Sequence, residues 1–364
     1  MLPKLIIGNA VIYHGNNLDV LPELASNSVD SIVCDPPYEL GFMSKSWDNS
    51  GIAYNVEVWR QCLRILKPGG YLLAFGGTRT WHRMAVAIED AGFEIRDNIA
   101  WLYGSGFPKS HNIGKAIDKL DGMADEAEKW SGWGTALKPA HEPIVMARKN
   151  VVGTIAQNAL AHGVGGLNID ATRVGDEVIS VHNAPTGSFA GGDHDRGSDT
   201  TSYREHVGRF PANIILDENT AKLLDEQADA SRFFYVAKAS KRDRNDGLDD
   251  LEEKSIGIKG SGLARVCETC GVPQMTGCQC PDATYVNPGR KNFHPTVKPT
   301  ALMQYLIRLV TPENGVVLDP FAGSGSTGKA AILEDKQFIG IELTDEYLPL
   351  IEGRLKHAFQ TKDQ

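Results

Sequence analysis

Short apolar runs of strand length alternate with helix-period segments at both ends of this 364-residue chain, and the alternation lapses in between. Val29 to Cys34 reads as a buried strand, Val56 to Lys67 has helical spacing that stops at Pro68-Gly69-Gly70, and Tyr71 to Phe75 is a second buried strand ended by Gly76-Gly77. Thr80 to Ala91 then reads as a helix and Phe93 to Tyr103 as one or two strands. Towards the other end, Leu302, Leu306, Leu309 and Val310 share one helical face before Pro312, and Val316 to Leu318 is a short strand. Ser326 to Leu333 follows as a helix, Phe338 to Ile341 as a strand ending at Glu342, and Glu346 to Phe359 as a closing helix. Strands apolar along their whole length are buried on both faces, which predicts an α/β fold: one mostly parallel sheet with helices on each side, built from both ends of the chain.

The middle reads differently. Residues 176–206 are rich in Gly, Ser, Asp, Thr and His without apolar periodicity, the signature of a long mobile loop. Segments 210–217 and 232–237 have the composition of short strands, and the aromatics Trp130, Trp133, Phe233, Phe234 and Tyr235 are assigned to the core by default. The chain is accordingly divided into residues 1–150 and 291–364, two parts of one domain, and an inserted region, 151–290.

A formal charge of -9 argues against a protein that coats nucleic acid non-specifically, though Lys238 to Arg244 and Arg290-Lys291 are local basic runs. No apolar stretch reaches the roughly 20 residues needed to span a bilayer, and Met1-Leu2-Pro3-Lys4 leads into a strand-like segment rather than a secretory h-region, which predicts a cytoplasmic protein without membrane contact.

The six cysteines fall into two groups. Cys34 and Cys62 lie in apolar patterns and read as buried thiols. Cys267, Cys270, Cys278 and Cys280, interleaved with Gly271 and Gly277, form a Cys-x2-Cys and Cys-x-Cys cluster over residues 267–280. In a reducing compartment that spacing favours one structural zinc over disulfides, and four thiolates leave no open position for catalysis.

Two motifs carry chemistry. Asp35-Pro36-Pro37-Tyr38 follows the first buried strand. Its prolines fix the backbone and remove two donors, so the Asp35 carboxylate and the Pro36 carbonyl can accept both protons of an exocyclic amine while the Tyr38 ring stacks on a planar base. Asp319-Pro320-Phe321-Ala322-Gly323-Ser324-Gly325 follows a late strand and opens a helix, and Glu342 ends the next strand. Glycines admit close backbone approach to a ligand, and the acid is placed to take both hydroxyls of a ribose. A nucleoside-type methyl donor or a nicotinamide cofactor both suit that arrangement.

With these motifs in this order, the chain resembles the β-class S-adenosylmethionine-dependent DNA amino-methyltransferases, in which Asp-Pro-Pro-Tyr comes early, a target recognition region follows, and Phe-x-Gly-x-Gly comes late. His294-Pro295-Thr296-Val297-Lys298-Pro299 looks like a further element of that family. The resemblance implies a circularly permuted, Rossmann-like class I methyltransferase fold with a seven-stranded sheet and a target recognition region in the insert, where the cysteine cluster places its zinc. It assigns Asp35, Pro36, Pro37 and Tyr38 to the target base; Asp319, Phe321, Gly323, Gly325, Thr327 and Glu342 to S-adenosylmethionine; and Thr296 and Lys298 to the neighbourhood of the donor's carboxylate. Asp19 is likewise assigned to the donor; it falls in a Gly-Asp-x-Leu-like element in which Asn16 replaces the usual acid, an amide still able to bond an adenine edge.

The implied reaction is direct methylation of adenine N6 in double-stranded DNA after base flipping. N4 of cytosine is the alternative acceptor, and a protein glutamine methyltransferase or a non-catalytic DNA-binding protein are alternatives of another class. The same resemblance implies a homodimer working on a palindromic target. The sequence shows no recognisable nuclease signature, which favours a stand-alone modification enzyme, and the basic run beside the cysteine cluster is expected to contact DNA through Lys238, Lys241, Arg242 and Arg244.

Overall fold

The structure, a computed structural model, describes residues 4–41, 46–104, 106, 110–120, 123–182, 203–238, 241–255, 266–270, 278, 280–281, 284–286 and 289–362. Its centre is one sheet of ten strands: β1 (Lys4–Ile7), β2 (Ala10–His14), β3 (Val29–Cys34), β4 (Leu66–Phe75), β5 (Glu94–Leu102), β6 (His141–Arg148), β7 (Ile214–Asp217), β8 (Tyr235–Ala237), β9 (Val316–Asp319) and β10 (Gln337–Glu342). The spatial order is β1-β2-β10-β9-β3-β4-β6-β5-β7-β8. The pairs β1–β2, β4–β6 and β5–β6 are antiparallel, and the remaining neighbours are parallel. β9 lies directly against β3, with Val317 opposite Ser31 and Leu318 opposite Ile32, so the two ends of the chain do share one sheet.

Three details differ from the sequence reading. The sheet has ten strands rather than seven, because β1 widens one edge while β7 and β8 widen the other. Those last two come from residues expected to form a separate insert, yet Ala100 to Leu102 of β5 pair with Ile214 to Leu216, and the 151–290 boundary does not hold as a structural division. Pro68-Gly69-Gly70 does not precede a strand but lies within β4: Val29 faces Leu66 while Ser31 faces Tyr71, so the intervening residues bulge out. Lys149 satisfies the bulge, its carbonyl accepting from Gly69 and its N–H donating to Gly70.

Alternation along the strands divides the core into two layers. Ile32, Cys34, Leu72, Ala74 and Leu318 face α1 (Val56–Ile65) and α2 (Trp81–Asp90), which bury Val58, Trp59, Cys62, Met84 and Ile88. Val33, Leu73, Phe75 and Val317 face α4 (Thr300–Val310), α5 (Ser326–Leu333) and α6 (Leu348–Thr361). Between β7 and β8 runs α3 (Glu218–Ala228), capped by the Asp217 carboxylate on the N–H of Thr220. α4 takes its cap from a distance: Asp243 accepts the N–H of Thr300 at 2.8 Å and also its hydroxyl, which ties the middle of the chain to the helix behind the site.

The expected mobile loop at 176–206 is mostly not one where it is described. Val174–His182 and Tyr203–Arg209 pair as an antiparallel hairpin. β-branched Val178, Ile179 and Val181 carry the strand propensity that the surrounding acids and glycine disguise. Residues 183–202 of that loop lie outside the described residues. Trp130 and Trp133 pack edge to face at 5.4 Å but are 40% and 60% exposed, so the core assignment fails for them, as it does for Phe233. No helix among the described residues is long and apolar enough to cross a membrane.

Candidate active site

β2, β10, β9, β3 and β4 are parallel neighbours, and the motif residues follow or occupy their carboxyl ends, where open α/β sheets bind ligands. There a cavity of about 1110 Å³ is lined by Asp35, Pro36, Pro37 and Tyr38, by Asp319 to Ser324, by Thr296, Lys298, Thr327 and Glu342, and by Asn16 and Asn17. Motifs nearly three hundred residues apart in sequence therefore share one space.

Asp35 extends from the end of β3. Its Oδ2 accepts from the Lys298 ammonium at 2.6 Å, while Oδ1 is buried without a hydrogen-bond partner. Burial raises the Asp35 carboxyl above its ordinary range, Lys298 pulls it down, and Glu142 pushes it up again. Glu142 comes from β6 and was not singled out by the sequence reading. Its Oε2 accepts from the Tyr38 hydroxyl at 2.6 Å and lies 3.3 Å from Lys298. Lys298 also donates to the Tyr38 hydroxyl at 3.1 Å and stands over the rings of Tyr38 and Phe75. Thr80 holds the Tyr38 carbonyl at 2.7 Å. Lys298, expected beside a donor's carboxylate, instead spends its charge on the acceptor tetrapeptide.

On the other side, Glu342 is fixed by two backbone donors: Gly323 N–H to Oε2 and Thr344 N–H to Oε1, both 2.7 Å. Asp319 accepts from the N–H of Phe321 at 2.9 Å and the Thr327 hydroxyl at 2.5 Å, and burial raises its pKa to about 7. Gly323 has φ +52° and its α-carbon faces His294, where an added Cβ would come within 3.0 Å of Nε2. Gly325, also at positive φ, does not line the cavity; it begins α5 against Ile351 and Leu355 and so sets the loop's exit. Beneath the loop, Arg354 of α6 donates to the oxygens of Ser324 and Ser326.

His294 lines the cavity between Trp47 and Tyr347, with ring centroids 6.3 and 4.6 Å away. Its Nδ1 donates to the Thr296 carbonyl, which leaves Nε2 as an acceptor, and burial lowers its pKa to about 3. The ring is a fixed neutral acceptor beside Gly323.

Two expectations move. Asp19 is exposed on the short helix Asn17–Val20 and does not line the cavity. Asn16 caps that helix through the Leu18 N–H, so its side-chain oxygen is used, whereas the neighbouring Asn17 presents a buried Oδ1 with no partner. A helix cap places the next side chain inward, a consequence the local pattern contains but the motif comparison passes over.

The basic run near 240 is also altered. Arg244 turns inward to the His294 carbonyl at 2.5 Å and towards the Asn292 carbonyl, leaving Lys238 exposed; Ala239 and Ser240 lie outside the described residues. Lys291 donates to the Asp249 carbonyl. The sulfurs of Cys267, Cys270, Cys278 and Cys280 lie within 4.8 Å of one another, while Gly271 and Gly277 fall outside the described residues.

Comparison with known proteins points the same way. A DNA methylase family model, N6/N4 methyltransferases, matches residues 29–353. The type II methyltransferase M.HindIII of Haemophilus influenzae is 22% identical, the match covering 94% of each chain. The DNA adenine methyltransferase YhdJ of Escherichia coli is 24% identical over 95% of this chain and 83% of that protein. Among solved structures, the cytosine-N4-specific PvuII DNA methyltransferase aligns over 95% of this chain and 86% of that one, with 14% identity and a TM-score of 0.48.

Proposed function

The chain belongs to this N6/N4 DNA methylase family, the DNA amino-methyltransferases, and from that membership we propose that it methylates N6 of adenine at a specific site in double-stranded DNA, with S-adenosylmethionine as donor. The observation that carries the reading is the pairing, in one cavity, of a buried carboxylate oxygen that lacks a partner, Asp35 Oδ1, with the glycine loop and Glu342. An amine has two protons to place, and Asp35 with the Pro36 carbonyl offers two acceptors. The name of the Escherichia coli relative supports adenine as the acceptor.

When bound, S-adenosylmethionine supplies an electrophilic methyl group on a sulfonium. The residues that line the other half of the cavity fit such a donor: Glu342 keeps further lone pairs for ribose hydroxyls, Asn17 Oδ1 is free to accept from an adenine amine, and His294 Nε2 is free to accept from an ammonium. Phe321 and Leu343 supply apolar surface. Asp35 and Pro36 draw the target nitrogen towards tetrahedral geometry and expose its lone pair for direct attack on the methyl carbon. As the nitrogen becomes positive, Asp35 stabilises it and receives the proton it sheds; burial makes that carboxylate a stronger acceptor than usual. Cys34, one residue before the carboxylate, does not serve as a nucleophile, since burial holds its thiol well above its ordinary pKa. The target base must leave the duplex stack, at a cost of a few kcal/mol. Stacking on Tyr38 returns on the order of 1–3 kcal/mol of it.

A structural zinc on Cys267, Cys270, Cys278 and Cys280 belongs to the same proposal. Sulfurs at about 2.3 Å from a tetrahedral zinc are about 3.8 Å apart, a small contraction of the present cluster. The ion would close its shell with thiolates and brace a segment that has little core of its own. Purified protein should carry one zinc per chain by elemental analysis, and replacing Cys267 and Cys270 by Ser should remove both the metal and specific DNA binding.

The deciding experiment incubates the protein with labelled donor and duplex DNA, digests the product to nucleosides and identifies the methylated one. N6-methyldeoxyadenosine, lost in Asp35→Ala, is expected. N4-methyldeoxycytidine would change the acceptor, and labelling of protein instead of DNA would overturn the reading.

A further inference from the structure

Lys298 stands where the substrate's amine has to bind. Its ammonium donates at 2.6 Å to Asp35 Oδ2, beside the oxygen left without a partner, and only 6% of its side chain is exposed. A positive charge there is useful while the site is empty, because a buried carboxylate without a cation is costly. During methyl transfer it is harmful. The nitrogen held by Asp35 becomes cationic, and an ammonium on the same carboxylate both repels that charge and drains the carboxylate that should stabilise it.

The neighbours offer a second berth. Glu142 Oε2 is 3.3 Å from the Lys298 nitrogen, and the Tyr38 hydroxyl, 3.1 Å from the same nitrogen, is itself bonded to Glu142. The ammonium touches both carboxylates at once, so rotation about its last side-chain bonds exchanges one for the other without backbone motion. The aromatic faces of Tyr38 and Phe75, 5.3 and 4.9 Å away, accompany it. Two carboxylates and one ammonium also leave this group of side chains with a net negative charge, which suits a cationic donor and a cationic transition state.

We propose that Lys298 is a resident ammonium that holds the amine's place on Asp35 and passes to Glu142 as a base enters, with Glu142 a positioning residue for the acceptor carboxylate. The inference rests on the methyl-transfer reading above. Glu142 then acts through Lys298 and touches no substrate. The ionisable groups around Asp35 are Lys298, Glu142 and Tyr38, with Asp319 and Cys34 on the strand side and Tyr103 beyond Glu142.

The test compares single-turnover methylation of duplex DNA across pH in Glu142→Gln, Lys298→Met and the double variant. Glutamine still accepts from Tyr38 but cannot hold the ammonium's charge, so Lys298 stays on Asp35. The rate should fall about tenfold to a hundredfold. The acid limb of its pH profile should move down, since the charge that raises Asp35 is gone. Lys298→Met should move that limb up, and the double variant should be no slower than Lys298→Met alone. Glu142→Asp, which keeps the charge, should keep the limb in place. A static strut would instead give defects that multiply, the double variant being slower than Lys298→Met alone, and that result overturns the proposal. Calorimetric binding of S-adenosylmethionine to each variant confirms a folded site. Asp35→Ala separates the two levels of argument: if it still labels DNA, the assignment of the amine to Asp35 fails and the exchange with it; if it is inactive while the defects multiply, only the Lys298 exchange fails.

Discussion

Arg354, fully buried in the closing helix, donates to the Ser324 carbonyl at 2.8 Å and to the hydroxyls of Ser324 and Ser326 at 3.1 and 3.0 Å. The shape of the glycine loop is therefore held from below by a cation some thirty residues later. Burial lowers the Arg354 pKa to about 10, which leaves it charged at neutral pH. Replacing it with Leu strands those oxygens and should cost about 1–3 kcal/mol for each one left unsatisfied. A lower urea midpoint at unchanged slope is the expected result, and Arg354→Lys should recover only part of it, lacking the planar fork.

Asp319 makes stability depend on pH in a direction opposite to most carboxylates. Its folded pKa, raised to about 7 by burial, lies above the unfolded value of about 3.9, so the native state holds a proton that the unfolded chain has already lost. Its contribution is fully present below about pH 4 and declines as pH rises to about 7. Asp319→Asn, a neutral isostere that keeps an oxygen acceptor for the Phe321 N–H, should match the parent near pH 4. It should become progressively more stable than the parent up to pH 8 in thermal melts. A difference that does not vary with pH would contradict the assignment.

Asn17 gives a case where binding and stability should part company. Its Oδ1 is buried and unpartnered, a cost to the folded protein that an incoming donor group would relieve. Asn17→Ala should weaken S-adenosylmethionine about tenfold in calorimetry. The melting temperature of the unliganded protein should stay level or rise. A fall in both would mean that Asn17 is structural.

Much of this site could be read from residues adjacent in sequence. Asp35 to Tyr38 and Asp319 to Gly325 are contiguous motifs that end strands, and parallel sheets bring strand ends together whatever the chain length between them. Glu142, Asn17 and Arg354 could not be read the same way. Glu142 reaches the site because β6 returns antiparallel beside β4, a pairing with no local signature. β7 and β8 were taken for an insert because a strand of four residues or three carries too little pattern to declare its sheet. Lys298 was legible as a motif member, but its charge could be assigned to a partner only once Asp35 and Glu142 were seen on either side of it.

Arg244 distinguishes a basic run from a basic face. The sequence places it among candidate DNA contacts, yet its guanidinium holds the His294 carbonyl, and burial lowers its pKa to about 10. A phosphate contact contributes to the salt dependence of DNA binding, roughly 0.9 in the slope of log affinity against log salt concentration. Arg244→Ala should leave that slope unchanged while weakening S-adenosylmethionine, because the loop that presents His294 Nε2 beside Gly323 loses its anchor. Lys238→Ala, at an exposed position, is the comparison in which the slope should become shallower if the run contacts DNA at all. A shallower slope in Arg244→Ala, with donor affinity intact, would return this residue to the DNA surface.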